Sequence, residues 1–202
     1  MFVRRKKFEI GWLAAGVEHL CHTVPRSWVE RADRRSGESA MRLKTRLTEK
    51  LAIAHPILLA PMHVMAGGKL AAAVSDAGGL GLIGGGYGNS DWLELQYAAA
   101  GNARVGCGFI TWSTARSPEL LDQVLAKHPA ALMLSFGEVE PHASRIKAQG
   151  VPLICQFQGM KYLRNAVDAG ADIVVAEGCE AGGHSGYRGL FTLVARGRRL
   201  SR

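Results

Sequence analysis

The segment Glu177–Gly186 (EGCEAGGHSG) is where chemistry is easiest to place. A single histidine, His184, is bracketed by glycines at positions 178, 182, 183 and 186. An imidazole changes protonation near neutral pH, so it can act as a general base. Glycines let backbone come close to a flat ligand and offer it N–H groups. The residues alone leave two readings open: a catalytic loop, or a flexible loop with an exposed histidine. Three other groups could contribute. The run Gly84–Gly86 is a tight turn that keeps side chains off a ring, or a plain strand-to-helix turn. It is not the spaced GxGxxG pattern, and no acid follows at the dinucleotide distance. Pro61-Met62 could lay an apolar side chain against a cofactor or serve packing. Gln156 could hydrogen-bond a heteroaromatic edge or point to solvent. His55, His63 and His128 have no evident partner and read as surface or loop residues.

These positions all follow short apolar runs, which shows how they are held. From Ile57 a rhythm sets in, with runs at 57–62, 80–84, 104–110, 131–136, 152–157 and 172–177. Between them lie helical stretches at 69–77, 91–100, 118–128, 140–149 and 160–169. Expected stops are Gly78-Gly79, Gly150 and Gly170. Expected N-caps are Ser90 or Asp91, and Ser117 ahead of Pro118. The strands are continuous apolar runs, the pattern of a parallel sheet covered on both faces. The spacing predicts six strands and five helices in an α/β fold. Either a (β/α)8 barrel or a doubly wound open sheet accommodates them. In both, function gathers at the carboxyl ends of the strands, where the groups above lie.

The net charge of +8 invites a nucleic-acid reading, but its distribution argues against one. Residues 1–40 carry +3 and residues 188–202 carry +5, which leaves 41–187 neutral. A basic fringe on a neutral body is not the clustered footprint of a nucleic-acid surface. Cys21, Cys107, Cys155 and Cys179 form neither a metal knuckle nor a CxxC pair. Cys107 and Cys155 sit in apolar runs and read as buried small hydrophobes, which suits a reducing cytoplasm. No membrane span is expected. Residues 1–40 differ in composition from the rest and read as an N-terminal extension or a mis-called start ahead of Met41. Residues 188–202 read as a basic, irregular tail. A full barrel takes about 250 residues, so the chain reads as a barrel truncated after about six strands.

Taken in order, ILLAPM, LAAAVSDAGGLGLIGGG, RVGCGFITW, PLICQFQ and AGADIVVAEGCEAGGHSG resemble the nitronate monooxygenase family, formerly called 2-nitropropane dioxygenases. The resemblance runs from about Leu51 to Gly186. It implies a TIM-type barrel with FMN near Pro61, Met62, Gly84, Gly85, Gln156, Glu177, Gly182 and Gly183. His184 matches the family's catalytic histidine, which would bind the nitro group or take the α-proton. The implied reaction is oxidative denitrification of alkyl nitronates or nitroalkanes with O2, giving a carbonyl compound and nitrite. The sequence departs from the family pattern at Glu177, where a glutamine is usual, and in the GCGFITW loop. The flavin-dependent enoyl-acyl-carrier-protein reductases share a similar barrel and GGH loop, so that activity is the alternative. A truncated, catalytically inactive family member is another. The oligomeric state is not legible.

Overall fold

The computed structural model describes residues 43–200. The expected extension at 1–40, with Cys21, lies outside the described residues, as do the last two residues.

The first described helix, α1 (Arg46–Leu51), starts at a reciprocal cap between Thr45 and Thr48. Its Leu51 is buried against Leu80 and Leu82. The run at 57–62 is not a strand of its own; it joins the sheet through one isolated parallel bridge, Leu58 to Leu80. Pro56 and Pro61 bracket this run, and neither can donate a ladder hydrogen bond. Five strands follow where six runs were read: β1 (Leu82–Gly86), β2 (Gly106–Ile110), β3 (Leu132–Ser135), β4 (Leu153–Phe157) and β5 (Ile173–Ala176).

All neighbouring pairs are parallel, and the strand order is β1-β2-β3-β4-β5. That order decides between the two architectures. A doubly wound sheet reverses direction at a switch point, whereas a barrel adds each strand beside the last. This is the barrel winding, and the sheet stays open among the described residues. The intervening helices are α2 (Gly68–Asp76), α3 (Ser90–Ala100), α4 (Thr111–Thr114), α5 (Glu119–Leu125), α6 (Glu140–Ala148) and α7 (Met160–Asp168). The N-cap of α3 is Asn89, whose side chain accepts from Trp92 N–H at 2.8 Å, rather than Ser90 or Asp91. At α5 the cap position is Pro118, with no side-chain cap bond from Ser117.

Alternation along the strands builds two cores. Ile83, Leu132, Leu134, Leu153 and Cys155 face the helices and pack with Leu93, Leu121, Ile146 and Ala166. Leu82, Met133 and Ile154 face the other way, onto Leu51 and Leu80. Cys107 and Cys155 are fully buried, and burial pushes both thiols up to about 12. No helix among the described residues is long and apolar enough to cross a membrane.

The expected irregular tail is corrected in part. Residues Leu190–Leu200 form a helix, α8. Leu190, Leu193 and Gly197 recur at helical spacing. Leu193 is fully buried against Phe157 and Leu163, and Gly197 lies close to the Phe157 ring. The arginines fall between these positions, which hid the stripe.

Asp172 ties α1 to the sheet. It pairs with Lys50 at 2.7 Å and accepts from Leu153 N–H at 2.9 Å. Partial burial alone would raise its carboxyl, but the Lys50 and Leu153 hydrogen bonds and nearby lysine charges bring it below the ordinary value. A depressed carboxylate stabilises the fold above its unfolded value, and that contribution fades as pH falls through the folded value. Asp172→Ala is therefore expected to cost about 1 kcal/mol in urea unfolding at neutral pH. The difference from the parent chain should shrink in acid; a gap that stays constant as pH falls would contradict the assignment.

Candidate active site

The carboxyl ends of the strands enclose a cavity of about 870 Å³. Pro61, Met62 and His63 supply one wall, from the segment after the first apolar run. Gly86 ends β1 and Tyr87 follows it; Gly108, Phe109 and Ile110 come from β2; Ser135 ends β3 and Phe136 follows it. Gln156 comes from β4, Glu177 and Gly178 follow β5, and the loop Glu180–His184 completes the lining. The walls are mainly apolar, with a few polar groups converging. That is the usual make-up of a site for a small organic ligand or cofactor, and the volume lies within the usual range of several hundred Å³.

Seven of the nine residues singled out from the sequence line this cavity: Pro61, Met62, Gln156, Glu177, Gly182, Gly183 and His184. Gly84 and Gly85 do not; both are buried within β1. A Cβ on Gly84 would stand 2.2 Å from the backbone nitrogen of His63, and one on Gly85 would stand 2.7 Å from the Phe109 ring. Their lack of a side chain lets the 61–63 segment and Phe109 pack close. The cavity-facing glycine of the triplet is Gly86, at a register shift between β1 and β2 and with φ +49°. A Cβ on Gly86 would lie 2.0 Å from His63 Nδ1.

His63, read as a loop residue, is the group sequence reasoning missed. It lies in a short 3-10 turn (His63–Met65) with φ +38°, an uncommon conformation for a residue with a Cβ. Its ring packs edge-on to Tyr87 at 5.4 Å and tilted against Trp92 at 5.2 Å. Nδ1 is buried with no hydrogen-bond partner, and burial pushes the imidazole below its ordinary value. The available signal was its place directly after Pro61-Met62 at the end of an apolar run.

His184 is exposed, and its ring lies 5.6 Å from that of Phe136. Gly183 has φ +78°, the left-handed region glycine enters freely, and it lies beside the Met62 sulfur. Gly178 allows Glu180 to reach Leu190, whose N–H donates to both Glu180 carboxylate oxygens at 3.0 Å. The loop is thus fastened at the start of α8. Glu177 Oε2 accepts from Gln156 Nε2 at 2.6 Å and from Gln158 Nε2 at 2.8 Å. Burial raises this carboxyl above its ordinary value, opposed by the Gln158 bond and the His184 charge.

These residues suit a planar heteroaromatic cofactor such as a flavin. Gly86 and Gly108 line the cavity without side chains, and they let His63 and Pro61 pack against the strands to form its wall. His63 Nδ1 and Gln156 are polar groups that an edge of hydrogen-bonding heteroatoms would meet. No cluster of His, Cys, Asp and Glu suited to a metal occurs among the described residues.

A family model described as nitronate monooxygenase matches residues 44–104 and 112–199. A nitronate monooxygenase from Neurospora crassa is 32% identical over 165 residues, covering 63% of this chain and 43% of that protein. A Rhodococcus jostii protein is 27% identical over 149 residues, covering 71% and 41% respectively. It is named a 5-hydroxy-7a-methyl-1-oxo-octahydro-indene-4-carboxyl-CoA dehydrogenase. Among solved structures, FabK from Thermotoga maritima matches with TM-score 0.71 and 32% identity, over 78% of this chain and 51% of that one. A nitroalkane oxidase from Streptomyces ansochromogenes shares the fold, with TM-score 0.60 at 24% identity, over 77% and 58%. The chain spans between 41% and 58% of the length of these relatives.

Because Gly84 lies directly beneath the His63 backbone, Gly84→Ala is expected to push the 61–63 segment outward and cost about 2 kcal/mol, as overpacking does. Urea unfolding measures it; a variant as stable as the parent would show that the segment is free to move.

Proposed function

The chain belongs to the nitronate monooxygenase family, and from that membership we propose that it forms the catalytic face of an FMN-dependent oxidoreductase acting on alkyl nitronates or nitroalkanes with O2. The observation that carries the reading is the convergence of His184, Glu177, Gln156 and Met62 on one apolar cavity at the strand ends. Carbonyl compound and nitrite are the expected products. The chemistry FMN supplies when bound is electron transfer between the organic substrate and dioxygen.

Pro61, Met62, Gly86, Gln156, Glu177, Gly182 and Gly183 are the residues we assign to holding the cofactor. Gly84 and Gly85 serve it from within β1, by letting the 61–63 segment and Phe109 pack close. His184 is the catalytic residue. A nitro group acidifies the adjacent carbon, so a neutral imidazole at this loop can take the α-proton, and its protonated form can hold a nitronate oxygen. The apolar wall of Met62, Phe136 and Val175 keeps water from the reacting carbon. The neutral body of the chain and its buried thiols support a cytoplasmic enzyme that does not bind nucleic acid. The cofactor-binding unit is assigned to residues 41–187 together with the helix at Leu190–Leu200 that packs onto it, with residues 1–40 an extension ahead of it.

A second reading is reduction of an enoyl thioester with NAD(P)H. It is favoured by the relatives named as carboxyl-CoA dehydrogenases and by the likeness to FabK. Oxygen uptake with an alkyl nitronate, set against NAD(P)H oxidation with an enoyl thioester, separates the two.

The purified chain incubated with FMN and desalted is expected to keep a flavin spectrum. His184→Ala should keep that spectrum while lowering kcat/KM for the nitronate by about 100-fold or more, the usual scale of a lost general base. A variant as active as the parent would remove His184 from the chemistry.

A further inference from the structure

Two carboxylates line the cavity, and they are held differently. Glu180 is committed to the N–H of Leu190 at the start of α8. Glu177 is held by two neutral amides, Gln156 and Gln158, both donating to Oε2. Among the described residues no lysine or arginine lies within ion-pair distance of it. The nearby cationic candidate is His184, whose charge acts on Glu177 without a hydrogen bond between them. A carboxylate in a largely apolar cavity is costly unless hydrogen-bonded. Two amides meet that need and also fix its position, because Gln156 and Gln158 flank Phe157 at the end of β4, the strand paired with β5. The carboxylate cannot readily swing to solvent without stranding both donors.

We propose that Glu177 sets the redox poise of a flavin held in this cavity, by keeping a fixed negative charge against it. The inference rests on the flavin reading above. An oxidised flavin ring is neutral, whereas two-electron reduction leaves it electron-rich and, near neutral pH, largely anionic. Like charges repel across a low-dielectric cavity more strongly than across water. Glu177 therefore weakens binding of the reduced form relative to the oxidised form. By thermodynamic linkage, a site that favours the oxidised form lowers the potential of whatever flavin it holds. The amide clamp has a further consequence. A cation in place of the two amides would neutralise the carboxylate and erase the effect, whereas neutral donors stabilise it and leave its charge in place. His184 offsets the charge in part when protonated, so the proton-handling residue and the potential-setting residue are electrostatically connected.

The experiment is a pair of anaerobic titrations of the full chain with oxidised FMN and with dithionite-reduced FMN, at mildly alkaline pH. Glu177→Gln keeps the shape and an oxygen acceptor for both glutamines. It is expected to raise the affinity for reduced FMN relative to oxidised FMN by about tenfold, a change that one unscreened charge across such a site readily produces. The midpoint potential of the bound flavin should move in the positive direction accordingly. Glu177→Asp, which keeps the charge, should retain the parent ratio of the two affinities. An unchanged ratio in Glu177→Gln overturns the inference while leaving the flavin reading intact. An equal shift in Glu177→Asp also overturns it, because shape and not charge would then be the cause. If the parent chain binds FMN in neither state, the flavin reading falls and the inference falls with it.

Discussion

Close packing of the 61–63 segment onto the glycines of β1 and β2 is the constraint on which the rest of this structure depends. Gly84 and Gly86 lie where any side chain would collide with His63, and Gly108 lies where one would collide with Pro61. The segment after the first apolar run can therefore fold across the sheet and become a wall of the cavity. Fill any of those three positions and Pro61, Met62 and His63 must lift away. The conformational cost is visible at His63, which takes a left-handed backbone despite its Cβ. It is held there by Tyr87, Trp92 and the turn that follows.

The cavity that results places charge and apolar surface side by side. Its polar groups enter from strand ends and loops, while its floor is made by Met133 and Val175, residues of the inner face. Each carboxylate there is satisfied by neutral donors from the protein itself: backbone N–H for Glu180, side-chain amides for Glu177. The result is a site whose electrostatics are preset before any ligand arrives, which is the arrangement that favours transition-state and redox discrimination over simple binding. His63 adds a buried nitrogen without a partner, an uncommon state for a polar atom and one found preferentially at functional positions.

The sheet's winding and its helical cover explain why this site lies at one end only. Parallel strands all present their carboxyl ends on the same side, and the loops that follow them gather there. The opposite end is closed by α1, through Leu51 on Leu80 and Leu82 and through the Lys50–Asp172 pair. The relatives with known structures share this architecture over the matched region, and the family model spans both α1 and α8.

The sequence by itself determined the α/β class, the parallel strands, the five helices that alternate with them and the loop that carries His184. Those features are local: an apolar run long enough for a buried strand, a glycine at a helix end, a histidine among glycines. Seven of the nine residues singled out from the sequence line the cavity, because they lie at or near the ends of apolar runs and those ends define the site. Only the tertiary structure decided the others. Gly84 and Gly85 look like ligand-facing glycines, but whether a missing side chain makes room for a cofactor or for Phe109 depends on what packs above it. The helix at 190–200 was hidden because its pair Leu193 and Gly197 matters only once Phe157 and Leu163 are brought beneath it. The first apolar run looked like a strand because hydrophobicity records burial, while strand pairing also needs a neighbour in register, and Leu58 has only a single bridge. The clamp on Glu177 and the orphaned nitrogen of His63 arise from residues 19 to 21 positions apart along the chain and from loops meeting across the sheet, and no local pattern encodes such meetings.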